Sequence, residues 1–257
     1  MWGNGDSLLF RQEDKVMLID CGTKSKGDTV VGYLKGLGIK KIDILIGTHP
    51  HDDHMGGMAQ VIREFEIGTL YTPDTSKESL TTSWYMDFLD AVEERNVTWK
   101  YPKVGDVLEL GEAVIQVMAP NSNSYEDLNN YSIVNKIVYG EVSVICMGDA
   151  EAISEKEILN NGLNVQAQII KLGHHGSNTS SSEEFIEAVK PQYALISAKK
   201  GNTYNHPIKS VMKLLEKEEI KVYRTDESGT IIMTTNGKNI NFDKEPGDYL
   251  SRRRTLA

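Results

Sequence analysis

The sequence predicts an α/β protein of the α+β kind, in which two β-sheets pack face to face and helices cover their outer sides as a four-layer αββα sandwich. Apolar runs of strand length alternate with segments of helical spacing near the start of the chain and again in its second half. Between these regions, short strand-like runs follow one another as in a meander of hairpins. A chain of 257 residues can bury a sizeable core. We predict one domain, residues 1–257, with a loosely attached tail after about residue 240.

The first region is predicted to alternate strands with helices. The predicted strands are DSLLF, KVMLID, IDILIGT and IGTLYTP. The predicted helices are VVGYLKGLG, a segment from roughly Gly56 to Phe65, and WYMDFLDAVEERN. DSLLF has the pattern of a second strand whose hairpin partner should precede it, yet only five residues do. We therefore expect that the first strand is truncated or that the fold starts late.

The remaining elements support two sheets with outer helices. The hairpin region contains VTWKY, VLEL, AVIQVMA, YSIVNKIVY and VSVICMGD. Helices are then predicted at SEKEILNNG, SEEFIEAVK and SVMKLLEKE, and strands at AQIIKLG, YALISA, VYRT and TIIMTT. This alternation repeats that of the first region and predicts a second sheet covered by its own helices.

Composition excludes several classes of protein. Hydrophobic residues make up 39% of the chain and charged residues 25%, which is ordinary for a soluble globular protein. We find no apolar run of the roughly 20 residues that a membrane span needs and no secretory signal pattern, so the chain as given is expected in the cytoplasm. Cys21 and Cys146 form neither a disulfide framework nor a zinc pattern. A net charge of −9 opposes a broad grip on nucleic-acid backbones, so any such contact must be local.

The loop THPHDDHMGG, residues 48–57, contains three of the six histidines of the chain and two aspartates. It follows a predicted strand and opens a predicted helix. His49, His51, Asp53 and His54 can turn toward two neighbouring ions from one such loop. Imidazole nitrogens and carboxylate oxygens suit zinc, manganese or iron. The alternatives are a polar surface loop and a single structural zinc.

Two later motifs favour the site for two metals. MGDA supplies Asp149, and KLGHHGS supplies His174 and His175. Each motif stands where an apolar strand stops and a loop begins. Three strand ends that meet at one sheet edge would bring all these side chains together.

The stretch His49-Pro50-His51-Asp52-Asp53-His54 matches HxHxDH, by which the chain resembles the metallo-β-lactamase superfamily. The resemblance implies an αββα fold and two divalent ions. It implies that His49 and His51 bind one ion, that Asp53, His54 and His174 bind the other, and that Asp149 bridges them. It also implies that Asp20, in MLIDCG, orients these ligands from outside the coordination sphere.

One ligand of the superfamily pattern is missing. A further first-site histidine usually precedes the bridging aspartate, but no histidine lies between His54 and His174. The segment APNSNSYEDLNNYSIV stands in its place. We expect Asn129, Ser132 or water to complete this site, and the first ion to bind weakly or to exchange.

Within the superfamily, the chain resembles the metallo-hydrolase domain of the ComEC family, the DNA-uptake channels of competent bacteria. The matching motifs are NGDSLLF, LIDCG, THPHDDHMGG, LNNYSIV, GDAE, LGHHGSNTSSSEEFIEAVKPQYALIS, YNHP and YRTDESGTI, from roughly Gly3 to Thr235. In that family an Asn-containing segment usually replaces the missing histidine. Members begin with a strand similar to VxFxDVGQGD, of which Trp2-Gly3-Asn4-Gly5-Asp6 keeps only the end. The resemblance implies a hydrolase domain that lies outside the cytoplasmic membrane. The membrane helices of the channel are absent from this sequence, so the resemblance does not imply DNA transport by this chain.

The metal chemistry indicates which other residues could act in catalysis. Two neighbouring ions can lower the pKa of a shared water to form hydroxide and hold a phosphoryl oxygen for in-line attack. Asp52 is expected to assist from the start of a helix. His175 or His206 is expected to contact the leaving group or a phosphate oxygen, with a structural hydrogen bond as the alternative.

Other side chains are candidates for substrate binding. Ser177 and Asn178 precede a predicted helix, where hydroxyls and free amides favour an anion. The alternative is N-capping by the serines that follow. Lys199, with Lys171, would add charge to the rim of the site or lie on a solvated face. Four aromatic residues could stack on the bases of a single strand, although their spacing favours the core. These are Trp84, Tyr85, Phe88 and Tyr101.

Three functions fit these observations. The first is a metal-dependent phosphodiesterase, a ComEC-like nuclease that cleaves single-stranded DNA with a metal-activated hydroxide. The second is an enzyme for a small or surface-linked phosphodiester, since phosphorylcholine esterases share the scaffold and a late histidine cluster. The third is a module that holds one structural ion and binds DNA or a partner without cleavage. Hydrolysis of β-lactams is not expected, because zinc β-lactamases generally keep the ligand that is missing here. No oligomeric state is predicted.

Overall fold

A five-stranded sheet forms one half of the fold in the computed structural model, which describes residues 5–251. Trp2, Gly3 and Asn4 of the predicted N-terminal motif lie outside the described residues, as do residues 252–257. The strands are, in spatial order, β1 (Leu8–Gln12), β2 (Lys15–Ile19), β3 (Lys41–Ile46), β4 (Glu66–Tyr71) and β5 (Trp99–Lys100). β1 pairs antiparallel with β2, whereas β2 to β5 run parallel. The carboxyl ends of β2 to β5 therefore lie at one edge.

A seven-stranded sheet forms the other half, in the spatial order β12-β11-β10-β9-β8-β7-β6. Its strands are β6 (Val107–Leu110), β7 (Ala113–Ala119), β8 (Val134–Tyr139), β9 (Val142–Cys146), β10 (Ile169–Lys171), β11 (Tyr193–Ile196) and β12 (Lys221–Arg224). β6 to β9 form antiparallel hairpins, as predicted. β9 to β12 run parallel, because a helix crosses over between each pair. A separate ribbon pairs β13 (Met233–Thr235) with β14 (Ile240–Phe242).

Helices cover the outer faces of both sheets. They are α1 (Gly27–Gly36), α2 (Asp52–Met55), α3 (Met58–Glu64), α4 (Ser83–Glu94), α5 (Ala152–Asn160), α6 (Glu183–Val189), α7 (Lys209–Lys217) and α8 (Thr225–Ser228). Side chains of β2 alternate, so that Val16 and Leu18 pack with α1, α3 and α4, while Met17 and Ile19 face the second sheet. α5, α6 and α7 pack on the far side of the second sheet. The predicted αββα sandwich is confirmed.

One predicted element is wrong in detail. VTWKY does not join the hairpins, because α4 crosses over and places β5 in parallel beside β4. The helix predicted from roughly Gly56 to Phe65 is found as α3, and the short helix α2 precedes it, with Gly56 and Gly57 between the two. A Cβ on Gly57 would lie 2.3 Å from the carbonyl oxygen of Cys21. Glycine is thus required where this segment passes the loop after β2.

Residues 248–250, within the segment after residue 240 that is predicted to be a loose tail, contact the region around β12. Arg224, at the end of β12, is fully buried, and its guanidinium lies 3.4 Å from the carboxylate of Asp248 and donates to the carbonyl of Leu250 at 2.6 Å. The hydroxyl of Tyr249 donates to the carbonyl of Ile220. A buried guanidinium needs several acceptors, and this segment supplies two of them. These contacts hold residues 248–250 against the end of β12 and the residue that precedes this strand.

Candidate metal centre

The candidate site lies at the edge where parallel strands of both sheets end. β3 is followed by the HxHxDH loop and α2, β9 by Asp149, and β10 by a turn that contains His174 and His175. Segments far apart in sequence meet there because the carboxyl ends of parallel strands share one edge. They enclose an open cavity of about 340 Å³. Its lining consists of His51, Asp52, Asp53, Asn129, Asp149, His174, His175, Ala198, Tyr204 and His206.

The residues predicted for the first ion lie together. The Nε2 atom of His49 is 3.0 Å from Nδ1 of His51 and 3.9 Å from Oδ2 of Asp149. Asn129 lines the same cavity, and its Oδ1 atom is buried without a hydrogen-bond partner among the described residues. Ser132 instead contacts Nδ1 of His49 and accepts a hydrogen bond from the backbone of Asp149. Asn129 thus brings an unpartnered oxygen to the cavity, and Ser132 supports the ring of His49.

The second cluster contains His175 and not His174. The Nε2 atom of His175 lies 3.4 Å from Oδ2 of Asp53 and 3.5 Å from Oδ2 of Asp149. Oδ1 of Asp149 is 3.2 Å from Nε2 of His54. His174 is 3.9 Å from Asp149, and its Nδ1 atom is held by Thr179. The structure therefore exchanges the positions expected for the two histidines. The cause is their left-handed backbone, with φ of 47° and 55°, which the motif does not reveal.

These atoms fit a divalent metal. Nε2 of His54, Nε2 of His175 and Oδ1 of Asp149 are buried and have no hydrogen bond of good geometry in the described part of the chain. Buried polar atoms without a partner are costly, whereas a cation between them would satisfy all three. Imidazole nitrogens and carboxylate oxygens are also the usual donors for zinc and manganese.

Asp20 holds two of the histidines in place, as the superfamily pattern implies. Its Oδ2 atom is 2.7 Å from Nδ1 of His54 and accepts from the hydroxyl of Thr48 at 2.8 Å. The same hydroxyl is 3.1 Å from Nδ1 of His49. With Nδ1 engaged, the Nε2 atom of each ring is directed toward Asp149.

Asp6 and Lys171 form a buried ion pair directly behind the second cluster. Both side chains are 1% exposed, and their charged atoms are 2.6 Å apart. Oδ1 of Asp6 also lies 3.5 Å from Nδ1 of His175, which contacts the carbonyl of Ser197 at 3.0 Å. Lys171 thus belongs to the interior, and the expectation that it contributes to a positive rim is wrong.

The charges of the site match metal binding. Burial raises the pKa of Asp149, but His175 and His54 outweigh it and hold this pKa well below its usual range. Burial lowers the pKa of His49 far enough to keep the ring neutral. Against the effect of burial, Asp149, Asp53 and Asp6 raise the pKa of His175 to about 10 in the metal-free protein. A bound cation would displace this proton, because metal ligands bind in their deprotonated form.

Of three further predicted catalytic or binding residues, Asp52 and His206 line the cavity as expected, whereas Lys199 does not. Asp52 begins α2 and lines the cavity, but one of its oxygens accepts from the backbone of Lys24. His206 lines the cavity beside His174, and burial lowers its pKa to about 4. Lys199 is exposed and is not among the cavity-lining residues of the described chain.

The expected anion site before α6 is already filled by a carboxylate. Glu155 accepts from the backbone amides of Ser181 and Ser182, and the hydroxyl of Ser182 caps the amide of Phe185. Ser177 is buried and bonds to Thr179, while Asn178 is exposed. Neither of these two lines the described cavity. Capping, the alternative interpretation, is confirmed.

Sequence reasoning missed two side chains of the site. Glu151 lies 3.4 Å from Nδ1 of His174 and 3.2 Å from the amide of Asn130. Tyr204 lines the cavity next to His206. Both occur in quoted motifs, GDAE and YNHP, but neither residue type at that position is diagnostic of a ligand.

The fold and the geometry agree with comparisons to known proteins. A family model for the metallo-β-lactamase superfamily matches residues 1–199. The chain belongs to this superfamily. Membership supports a metal-dependent hydrolase, and the fold implies divalent ions at the clusters described above. The crystal structure of Tm1679, "a metal-dependent hydrolase of the beta-lactamase superfamily", has a TM-score of 0.55 and 13% identity, covering 86% of this chain and 93% of that one. That likeness shows the fold.

Relatives of this chain include competence proteins. It is 33% identical over 247 residues to ComE operon protein 3 of Bacillus subtilis, a match of 89% of the chain and 31% of that protein. For competence protein ComA of Neisseria gonorrhoeae the identity is 31% over 231 residues, covering 89% and 30%. Ribonuclease J of Synechocystis is 24% identical over 131 residues, covering 48% and 20%.

The resemblance to the ComEC family is confirmed by the competence relatives. The chain spans about a third of the length of these competence proteins. Among residues 5–251, no helix is both long and apolar enough to cross a membrane.

Proposed function

We propose that the chain is a metal-dependent phosphodiesterase that cleaves single-stranded DNA. The observation that carries the proposal is the convergence of His54 and His175 on Asp149, with Asp53 beside His175, at an open cavity. Divalent ions held there would lower the pKa of a water molecule and polarise a phosphoryl oxygen. The names of the relatives point the same way, since two are competence proteins and one is a ribonuclease.

The donor atoms support two adjacent metal sites. His49 and His51 would hold the first ion, with Oδ1 of Asn129 in place of the missing histidine. His54, Asp53 and His175 would hold the second ion. Asp149 would be shared between the two sites, since its carboxylate lies near His49 on one side and near His54 and His175 on the other.

The remaining cavity residues would act on the substrate. His174 and His206 contact each other at a ring distance of 5.5 Å on the wall above Asp149. With its lowered pKa, His206 is neutral at pH 7 and can accept or donate one hydrogen bond. His174 has Nδ1 engaged by Thr179, which leaves Nε2 for a phosphate oxygen or the leaving group. If the chain works as a ComEC-type domain, its place is outside the cytoplasmic membrane.

The size of the cavity favours a second candidate, a phosphodiesterase for small substrates. A volume of about 340 Å³ is at the small end of ligand pockets, and a net charge of −9 does not favour a long polyanion. Both functions use the same ions and the same attack on phosphorus.

The deciding experiment compares substrates on one protein preparation. Metal-free protein is reloaded with Mn²⁺ or Zn²⁺ and given bis-p-nitrophenyl phosphate or a labelled single-stranded DNA. We expect both to be cleaved and His51→Ala to lose the activity, since His51 is half-exposed and its removal leaves the core intact. Cleavage of the small ester alone would support the second candidate. If neither substrate is cleaved by the metal-bound protein, phosphodiester hydrolysis is refuted. The chain would then be a module that binds DNA or a partner without cleavage.

The first metal site provides a separate prediction. Asn129→Ala should weaken retention of the first ion, so that activity needs a roughly 10- to 100-fold higher metal concentration. The reason is that Oδ1 of Asn129 has no other partner in the described chain. Metal titration followed by hydrolysis rates measures the change. Asn178→Ala, at an exposed position outside the cavity lining, is the matched control. An unchanged metal requirement in Asn129→Ala would show that this oxygen is no ligand.

A further inference from the structure

Tyr204 is an exposed aromatic residue at the mouth of the candidate site. Its side chain is 67% exposed, the largest value among the large hydrophobic side chains of the described residues. Single exposed aromatic rings are common on protein surfaces and carry no meaning by themselves. Tyr204 differs in position, because it lines the same cavity as Asp149 and His174.

The ring of Tyr204 continues a row of flat side chains that leads away from the metal ligands. Its plane is inclined by 25° to that of His206, with ring centres 5.7 Å apart. His206 in turn lies 5.5 Å from His174, which borders Asp149. The row therefore runs from the expected position of the phosphate to an aromatic face that is open to solvent.

The loop that carries Tyr204 is fixed from within by Asn202. The side chain of Asn202 is buried, donates to the carbonyls of Lys199 and His206 at 2.9 and 2.6 Å, and accepts from the amide of His206 at 2.9 Å. Three hydrogen bonds from one buried amide define the path of residues 199–206. A ligand that stacks on Tyr204 would lose little free energy in ordering this loop.

We propose that Tyr204 is a stacking platform for the base adjacent to the cleaved phosphate. This proposal rests on the proposed phosphodiesterase function. The substrate class is then a nucleotide chain with unstacked bases, such as single-stranded DNA. Bases of any sequence stack on aromatic side chains, with a contribution that corresponds to roughly a 5- to 150-fold change in affinity per base. Stacking also suits an acidic protein, because it does not depend on clustered lysine and arginine.

The test uses two labelled single strands of equal length, one with normal bases and one with abasic tetrahydrofuran residues. kcat/KM is measured for the metal-loaded wild type and for Tyr204→Ala, Tyr204→Phe and Tyr101→Ala. Tyr101 is a candidate for base stacking from the sequence, but it is half-exposed outside the cavity lining of the described residues and therefore serves as the control position. We expect Tyr204→Ala to lose roughly 5- to 150-fold on the normal strand through a higher KM, and far less on the abasic strand. Tyr204→Phe and Tyr101→Ala should resemble the wild type.

The outcomes separate this proposal from the proposed function. Equal losses on both strands, or no loss on either, would overturn the stacking platform while leaving phosphodiester hydrolysis intact. If the wild type cleaves neither strand nor bis-p-nitrophenyl phosphate, the proposed function fails. In that case, fluorescence anisotropy measures the affinity of the wild type and of Tyr204→Ala for the same strands. Equal affinities of the two proteins for the normal strand would refute the proposed stacking on Tyr204.

Discussion

Replacing His175 by alanine is expected to remove one of the two bound ions and to lower kcat/KM for a phosphodiester by at least about 100-fold. The Nε2 atom of His175 is buried, faces Asp53 and Asp149, and has no other partner within the described residues. Its loss therefore deletes a donor for which the site holds no substitute. Metal content per chain, measured by elemental analysis after dialysis, tests the ligand role directly.

His174→Ala is the matched control for this experiment. His174 is the neighbouring residue of the same type, but its ring is held by Thr179 and stands 3.9 Å from Asp149. We expect this variant to keep both ions, whereas its hydrolysis falls by roughly 100- to 10,000-fold if the ring transfers a proton. The reverse pattern, with an ion lost from His174→Ala and none from His175→Ala, would restore the ligand set implied by the motif alone.

Lys171→Met is expected to destabilise the protein by about 3–5 kcal/mol. Methionine keeps most of the volume of the lysine, but the carboxylate of Asp6 would stay buried without its counter-ion. Lys171 and the nearby histidines lower the pKa of Asp6 in spite of burial. This contribution is therefore fully present above the usual pKa of an aspartate, about 3.9, and is lost as the pH falls below it. Urea unfolding of the metal-free protein at pH 7 measures the change.

Two further variants test the cause of this destabilisation. Asp6→Asn combined with Lys171→Met removes both charges and should recover much of the lost stability, because no unpaired ion stays buried. Lys217→Met removes the lysine of an exposed pair with Glu183 and should leave the free energy of unfolding nearly unchanged, because solvent screens this pair. A similar small cost for Lys171→Met would contradict a buried, interdependent pair.

The two-sheet architecture and the loops that carry the candidate ligands could be predicted because they depend on local patterns. Apolar runs that end in HxHxDH or GDA show both where a strand stops and which donors follow it. Asp53, His54 and Asp149 accordingly lie at one site, although β3 and β9 belong to different sheets. The superfamily pattern also identified Asp20, which lies against His54 as expected.

The errors arose where contacts between distant residues decide the role of a side chain. Two consecutive left-handed residues determine whether His174 or His175 faces the carboxylates, and spacing alone cannot show this. The backbone amides before α6 are not available to a substrate anion, because Glu155 of α5 accepts their hydrogen bonds. The sequence does not show this contact between two helices. The burial of Lys171 could not be predicted, because its partner Asp6 lies near the start of the chain, far from Lys171 in sequence.

The donors of the second cluster come from two different sheets. Asp53 and His54 follow β3 of the five-stranded sheet, whereas Asp149 and His175 follow β9 and β10 of the seven-stranded sheet. An ion bound by both pairs would act as a cross-link, in the manner of a disulfide, in a chain whose two cysteines are both free and buried. Such a link closes only after the sheets have docked, so a filled site marks a chain that has completed its tertiary folding.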